Sequence, residues 1–122
     1  MWEILFYESI RGECPFRAFL DSSDAKVQAK FIKLLDLLEE HGPDLKRPYA
    51  DLLRDGIREL RVRYGTKRYR ALYFFVIDDR IVISHAIVKK TERVPPGEIE
   101  RALRSREDFR QRQGARERGH EI

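Results

Sequence analysis

Six cations fall between Ile57 and Arg70, namely Arg58, Arg61, Arg63, Lys67, Arg68 and Arg70, and Glu59 is the single acid among them. His85, Lys89 and Lys90 follow, and the tyrosines Tyr64, Tyr69 and Tyr73 run through the same region. Such groups suit the binding of a polyanion, with phosphates neutralised by arginine and lysine and bases stacked on aromatic rings. They also suit metal-free cleavage of RNA. That reaction deprotonates a ribose 2′-OH, builds negative charge on a phosphorane and protonates a leaving 5′-oxygen. Clustered cations stabilise the charge and lower the pKa of a neighbouring lysine. By residue type alone, binding and cleavage both stay open.

Other chemistries find no support in the spacing. Gly12, Gly42, Gly56 and Gly65 are isolated, each with a turn or helix-cap explanation, so no glycine-rich phosphate loop is present. No nucleophilic triad is visible, and the lone Cys14 and widely separated histidines give no zinc spacing. No metal and no cofactor is expected.

The elements that must carry these residues follow from periodicity. Trp2 to Tyr7 reads as a short strand ended by Arg11-Gly12. Pro15 opens a short helix with Phe16, Phe19 and Leu20 on one face. Ser23 or Asp24 caps a longer helix whose Val27, Phe31, Leu34, Leu35 and Leu38 recur at helical spacing until Gly42-Pro43 ends it. Residues 44–54 read as a long connection. From Ile57 the period becomes two, with Leu60 and Val62 alternating with Glu59, Arg61 and Arg63. Strands over about 68–77 and 80–88 follow, joined at Asp78-Asp79, and Pro95-Pro96 opens a terminal helix carrying Ile99, Ala102 and Leu103.

This order predicts an α+β domain with a mainly antiparallel sheet, an N-terminal helical hairpin and a C-terminal helix. Helices are expected on one sheet face. Alternate side chains leave opposite faces of a strand, so if Leu60 and Val62 meet the helices, the basic band is presented on the other, open face. The other explanation of the band is a solvated hairpin.

The whole chain bounds the reading. It has 122 residues and a net charge of +4, enough for one core and short of two domains, with about two-thirds of its surface buriable. We expect one domain over 1–112 and a polar tail, 113–122, that frays. The charge is uneven: Met1 to Leu45 carries 5 basic and 9 acidic residues, against 6 and 1 from Ile57 to Arg70. A single cysteine and no apolar leader point to the cytoplasm, and no apolar run approaches the roughly 20 residues of a membrane span.

Four blocks in series carry a family resemblance: Gly56 to Arg61, Tyr69 to Phe75, Ile81 to Thr91, and Pro95-Pro96 with Glu98 to Ala102; Pro48 to Leu53 fits as the approach to the family's second strand. Over about residues 2–109 the chain resembles the RelE/ParE toxin superfamily, and within it the HigB-like, phage-derived Gp49-like branch of type II toxin–antitoxin systems. The resemblance implies a RelE-like fold and a ribosome-dependent mRNA endonuclease. Its implied partners are the ribosome, mRNA and a cognate antitoxin, a helix-turn-helix protein of the HigA-like kind.

It also implies roles. Arg70 sits where RelE-like nucleases keep an arginine on the scissile phosphate, Arg61 where they place a basic residue on the second strand, and Lys90 at the basic position after the last strand. Lys89 and His85 are candidate proton carriers at the end of the last strand. The basic band itself, rather than the resemblance, offers Arg58, Arg63, Lys67, Arg68 and Tyr69 as candidate RNA contacts, and Arg63 has no family role. Glu59 stands where RelE has a basic residue, and no tyrosine near Val94 corresponds to its catalytic one. The superfamily also implies two alternatives: a ParE-like gyrase poison without nuclease activity, or a non-toxic member that binds antitoxin.

Overall fold

The computed structural model describes residues 1–120. Strand β1 (Glu3–Phe6) leads to helices α1 (Pro15–Asp21) and α2 (Ala25–His41), and a 3₁₀ turn (Gly42–Asp44) leads to β2 (Ala50–Arg54). Then come β3 (Ile57–Tyr64), β4 (Lys67–Val76), β5 (Arg80–Lys89) and α3 (Pro96–His120). The five strands lie in the order β1-β5-β4-β3-β2, all neighbours antiparallel except β1 beside β5. The α+β class, the helical hairpin and the terminal helix are as the sequence predicts.

Local chemistry sets the boundaries. The Asp24 side chain accepts from Lys26 N–H at 2.9 Å and caps α2, while Gly42 closes it at φ 53°. Three hairpins build the sheet. Asp55-Gly56 joins β2 to β3 with both residues at positive φ, the twist a two-residue hairpin prefers. Gly65 serves β3–β4, and Asp78 and Asp79, both at positive φ, serve β4–β5. Aspartate tolerates that region better than most side chains.

The sheet has helices on both faces, which corrects the expectation of one covered face. On the first, Phe16, Val27, Phe31, Leu34 and Leu38 of the helical hairpin pack against Leu60, Val62, Tyr69, Ala71, Tyr73, Ile81 and Ile83. On the second, α3 sets Ile99 and Ala102 against Ile57, Leu72, Phe74 and Val82. α3 covers only the part of that face near these residues, because its apolar positions end where the sheet turns basic. A further correction concerns extent: residues 44–54, read as connection, contain β2. α3 extends to His120, and residues 121–122 of the expected tail lie outside the described residues.

Candidate functional site

Strand pairing turns the basic sequence into rows across the uncovered part of the second face. Arg61 stands opposite Arg70, and Arg70 opposite Ile87; Arg63 stands opposite Arg68, and Arg68 opposite Lys89. The next row, towards α3, is Glu59, Leu72 and His85. Arg47, Pro48, Arg61, Val62, Arg63, Arg68 and Arg70 line an open cleft of about 680 Å³. An adjoining hollow of about 460 Å³ shares Arg47 and Arg61 and adds Glu59, Lys89 and the segment from Glu92 to Val94.

Glu59 organises the floor. It and Arg70 are each 3% exposed, with Glu59 Oε1 3.2 Å from Arg70 Nε and Oε2 accepting from Arg61 Nη1 at 2.7 Å. Arg70 Nη1 donates to the carbonyl of Tyr69 at 3.0 Å, while its Nε–H is not aimed at any acceptor. Burial lowers the Arg70 pKa, Glu59 opposes that, and the nearby charges of Arg61, Arg68 and Arg47 add to the lowering. At the rim Arg47 donates to Asp51 at 2.9 Å, and this bond holds the Asp51 carboxyl below its ordinary range. Beside the cleft, desolvation first and then the charges of Arg70, Arg61 and Arg68 push the Lys89 pKa down, while Glu59 opposes the shift.

The expected residues therefore divide. Arg61, Arg63, Arg68 and Arg70 line the cleft and Lys89 lies beside it, whereas Lys67 and Lys90 are exposed at a hairpin tip and just past β5. Arg58 and Tyr69 face the helical hairpin: Arg58 stacks 5.3 Å from the Phe75 ring and donates to Pro43 O, and Tyr69 packs on Phe19. Tyr64 packs on that side too, and Tyr73 is buried there with its phenol pushed up to about 12 by desolvation. No tyrosine of the three carries protons in this cleft.

His85 is also away from it. A bulge between Leu72 and Tyr73 admits Ser84 as an extra residue on β5, and both Ser84 and His85 turn towards α3. His85 Nε2 lies 3.1 Å from Glu98 Oε1, and Nδ1 lies 2.8 Å from Ser84 Oγ. Ser84 Oγ–H donates to Ser105 Oγ at 3.0 Å. Burial, reinforced by Arg101, holds the imidazole pKa down at about 4, so His85 ties β5 to α3 as a neutral ring. Two residues of the cleft escaped the sequence reading: Glu59, taken as an oddity, and Arg47, which lay in supposed connection. Among the described residues no group of three His, Cys, Asp or Glu side chains is arranged to hold a metal, and no helix is long and apolar enough to cross a membrane.

A mainly antiparallel five-stranded sheet, with a helix pair before it and a helix after it, thus carries an arginine-lined cleft. Residues 18–107, which include all of the cleft, match the family of phage-derived Gp49-like proteins, and the chain belongs to that family. It is a toxin-like family of toxin–antitoxin systems, which implies an antitoxin partner. No curated protein matches the chain.

Proposed function

We propose that the protein is the toxin of a type II toxin–antitoxin pair, of the HigB-like RelE/ParE kind, and that it cleaves mRNA on the ribosome without a metal. The observation that carries the reading is the pairing of a buried arginine, Arg70, at the floor of a cationic cleft with a lysine of lowered pKa, Lys89, beside it. Neutral Lys89 takes the 2′-OH proton, and the 2′-oxygen attacks phosphorus. Arg70 and Arg61 stabilise the equatorial oxygens as charge builds. The P–O5′ bond breaks, leaving a 2′,3′-cyclic phosphate and a 5′-alcohol whose proton comes from water at the cleft mouth. Arg47, Arg63 and Arg68 hold the flanking backbone, and a helix-turn-helix antitoxin neutralises the toxin. Because Lys89 must be neutral, the rate should rise with pH and level off below the ordinary lysine range.

The test compares two arginines. Arg70→Ala should lower single-turnover cleavage of ribosome-bound message by about 10²–10³-fold. Arg63→Ala, exposed in the next row, should mainly weaken affinity and flatten its salt dependence. Primer extension on transcripts after brief induction should find cuts within reading frames. Equal losses in the two variants would remove Arg70 from catalysis, and DNA damage without cut transcripts would favour a gyrase poison.

A further inference from the structure

Arg61 and Arg70 are cross-strand partners, an arrangement that sets two like charges side by side on one face. Exposed Arg63 and Arg68, paired in the same way one row on, have water to separate their charges. Arg70 has none. What stands between the first two is the Glu59 carboxylate, from the same strand and face as Arg61, with one oxygen turned to each guanidinium. Its side chain and that of Arg70 are each 4% exposed, that of Arg61 24%. A buried ion cluster of this kind is seldom a net stabiliser compared with apolar side chains of the same size, so fold stability alone gives it little reason to lie beneath an open cleft.

We propose that Glu59 is the positioning residue of the cleft: its single carboxylate aims Arg61 and Arg70 at one phosphate and removes one charge from the cleft's grip on RNA. This rests on the nuclease reading. The grip of Glu59 on the two arginines differs. Arg61 Nη1 makes a directed hydrogen bond to it, while Arg70 Nε lies within ion-pair distance but its hydrogen is not aimed at the carboxylate. Arg70 is therefore held by charge, plus its bond to the Tyr69 carbonyl. Glutamine at this position keeps the shape and an acceptor for Arg61 and loses the charge that holds Arg70.

The consequence is a split between binding and turnover. Glu59→Gln should tighten binding of a single-stranded RNA oligonucleotide lacking the 2′-OH at its scissile position, with a log–log salt slope steeper by about 0.7, one more phosphate neutralised. Its kcat should fall about 10- to 100-fold while KM falls too, which a purely structural residue would not produce. Glu59→Asp retains the charge but is too short to reach both arginines, so it should keep the wild-type salt slope and still lose kcat. If Glu59→Gln does not fold, Glu59→Asp decides: wild-type kcat there overturns the proposal. Unchanged salt slope and kcat in Glu59→Gln, or equal loss of kcat and affinity, overturns it as well. A readout on the protein alone separates this from the nuclease reading. The Arg70 guanidinium protons, observed by ¹⁵N-edited NMR, should exchange slowly in the wild type and rapidly in Glu59→Gln, whether or not the wild type cuts RNA. Slow exchange in both variants would overturn the positioning role, and no cleavage by a wild type with this NMR difference would overturn only the nuclease.

Discussion

His85 illustrates how far a residue's role depends on what covers it. With a folded-state pKa near 4 against an ordinary 6.5, it stays neutral while the unfolded chain takes up a proton. The sign follows: stability from this site is complete above about pH 6.5 and is lost as pH falls towards 4, by roughly 2–3 kcal/mol. Glu98 and Arg101 of α3 are the charged groups facing it, and Glu98 opposes the shift. Urea denaturation of the wild type and His85→Gln between pH 7.5 and 4.5 checks this; the gap between the two should close as pH falls, and a constant gap would refute it. At this scale the sequence was legible in proportion to how much two-residue alternation decides. It placed Arg61 and Arg63 on the face opposite Leu60 and Val62, and the same parity puts Arg58 with Leu60, a consequence missed by treating the band as one unit. Tyr69 and Arg70 needed the pairing register, which the Gly65-Thr66 turn length fixes. Glu59 was illegible for a different reason: its meaning lies in Arg70, eleven positions away and on another strand.

Between elements, the tightest joint is where α2 ends. Gly42 sits at φ 53°, and a Cβ built there would fall 2.2 Å from Trp2 Nε1, whose indole packs edge-on against Phe75. Trp2 N–H also donates to Glu39 O at 3.0 Å, so the entry of β1 and the exit of α2 are one assembly. Gly42→Ala should cost about 1–3 kcal/mol from backbone strain and more from displacing Trp2, measured by urea denaturation. In a Trp2→Ala background only the strain should remain, and equal costs in both backgrounds would refute the clash. The sequence marked Gly42 as a helix end, which it is, but the indole that demands glycine comes from the far end of the chain. β2 was overlooked although Asp55-Gly56 is a strong hairpin signal, because Leu52 and Leu53 in succession break the alternation; a bulge between Leu52 and Arg54 absorbs that irregularity. The covered second face was missed since α3 carries few apolar residues, and four of them, Ile99, Ala102, Leu103 and Phe109, suffice for the part it covers.

For the molecule as a whole, order along the chain and order in space run against each other. Ile4 pairs with Ile81 and Phe6 with Ile83, so the first strand to be made is locked beside the last. Non-local pairing of this kind defers completion of the fold. During synthesis β1 leaves the ribosome early and stays without its neighbour until residue 83 has followed it out. Lys89 arrives later still, and α3, which seals the second core, last. Stalled nascent chains should therefore leave residues 3–6 open to protease when the sequence has emerged only through Val76, and protect them once α3 is out; protection in the shorter chain would refute this. On the proposed nuclease reading, the ribosome that makes this chain is itself the first one at hazard. With β5 and α3 still inside the exit tunnel there is a row of arginines but no lysine beside it and no closed sheet beneath it, so on that reading the maker is spared until α3 has cleared the tunnel, and an antitoxin has that interval in which to capture the newly closed sheet.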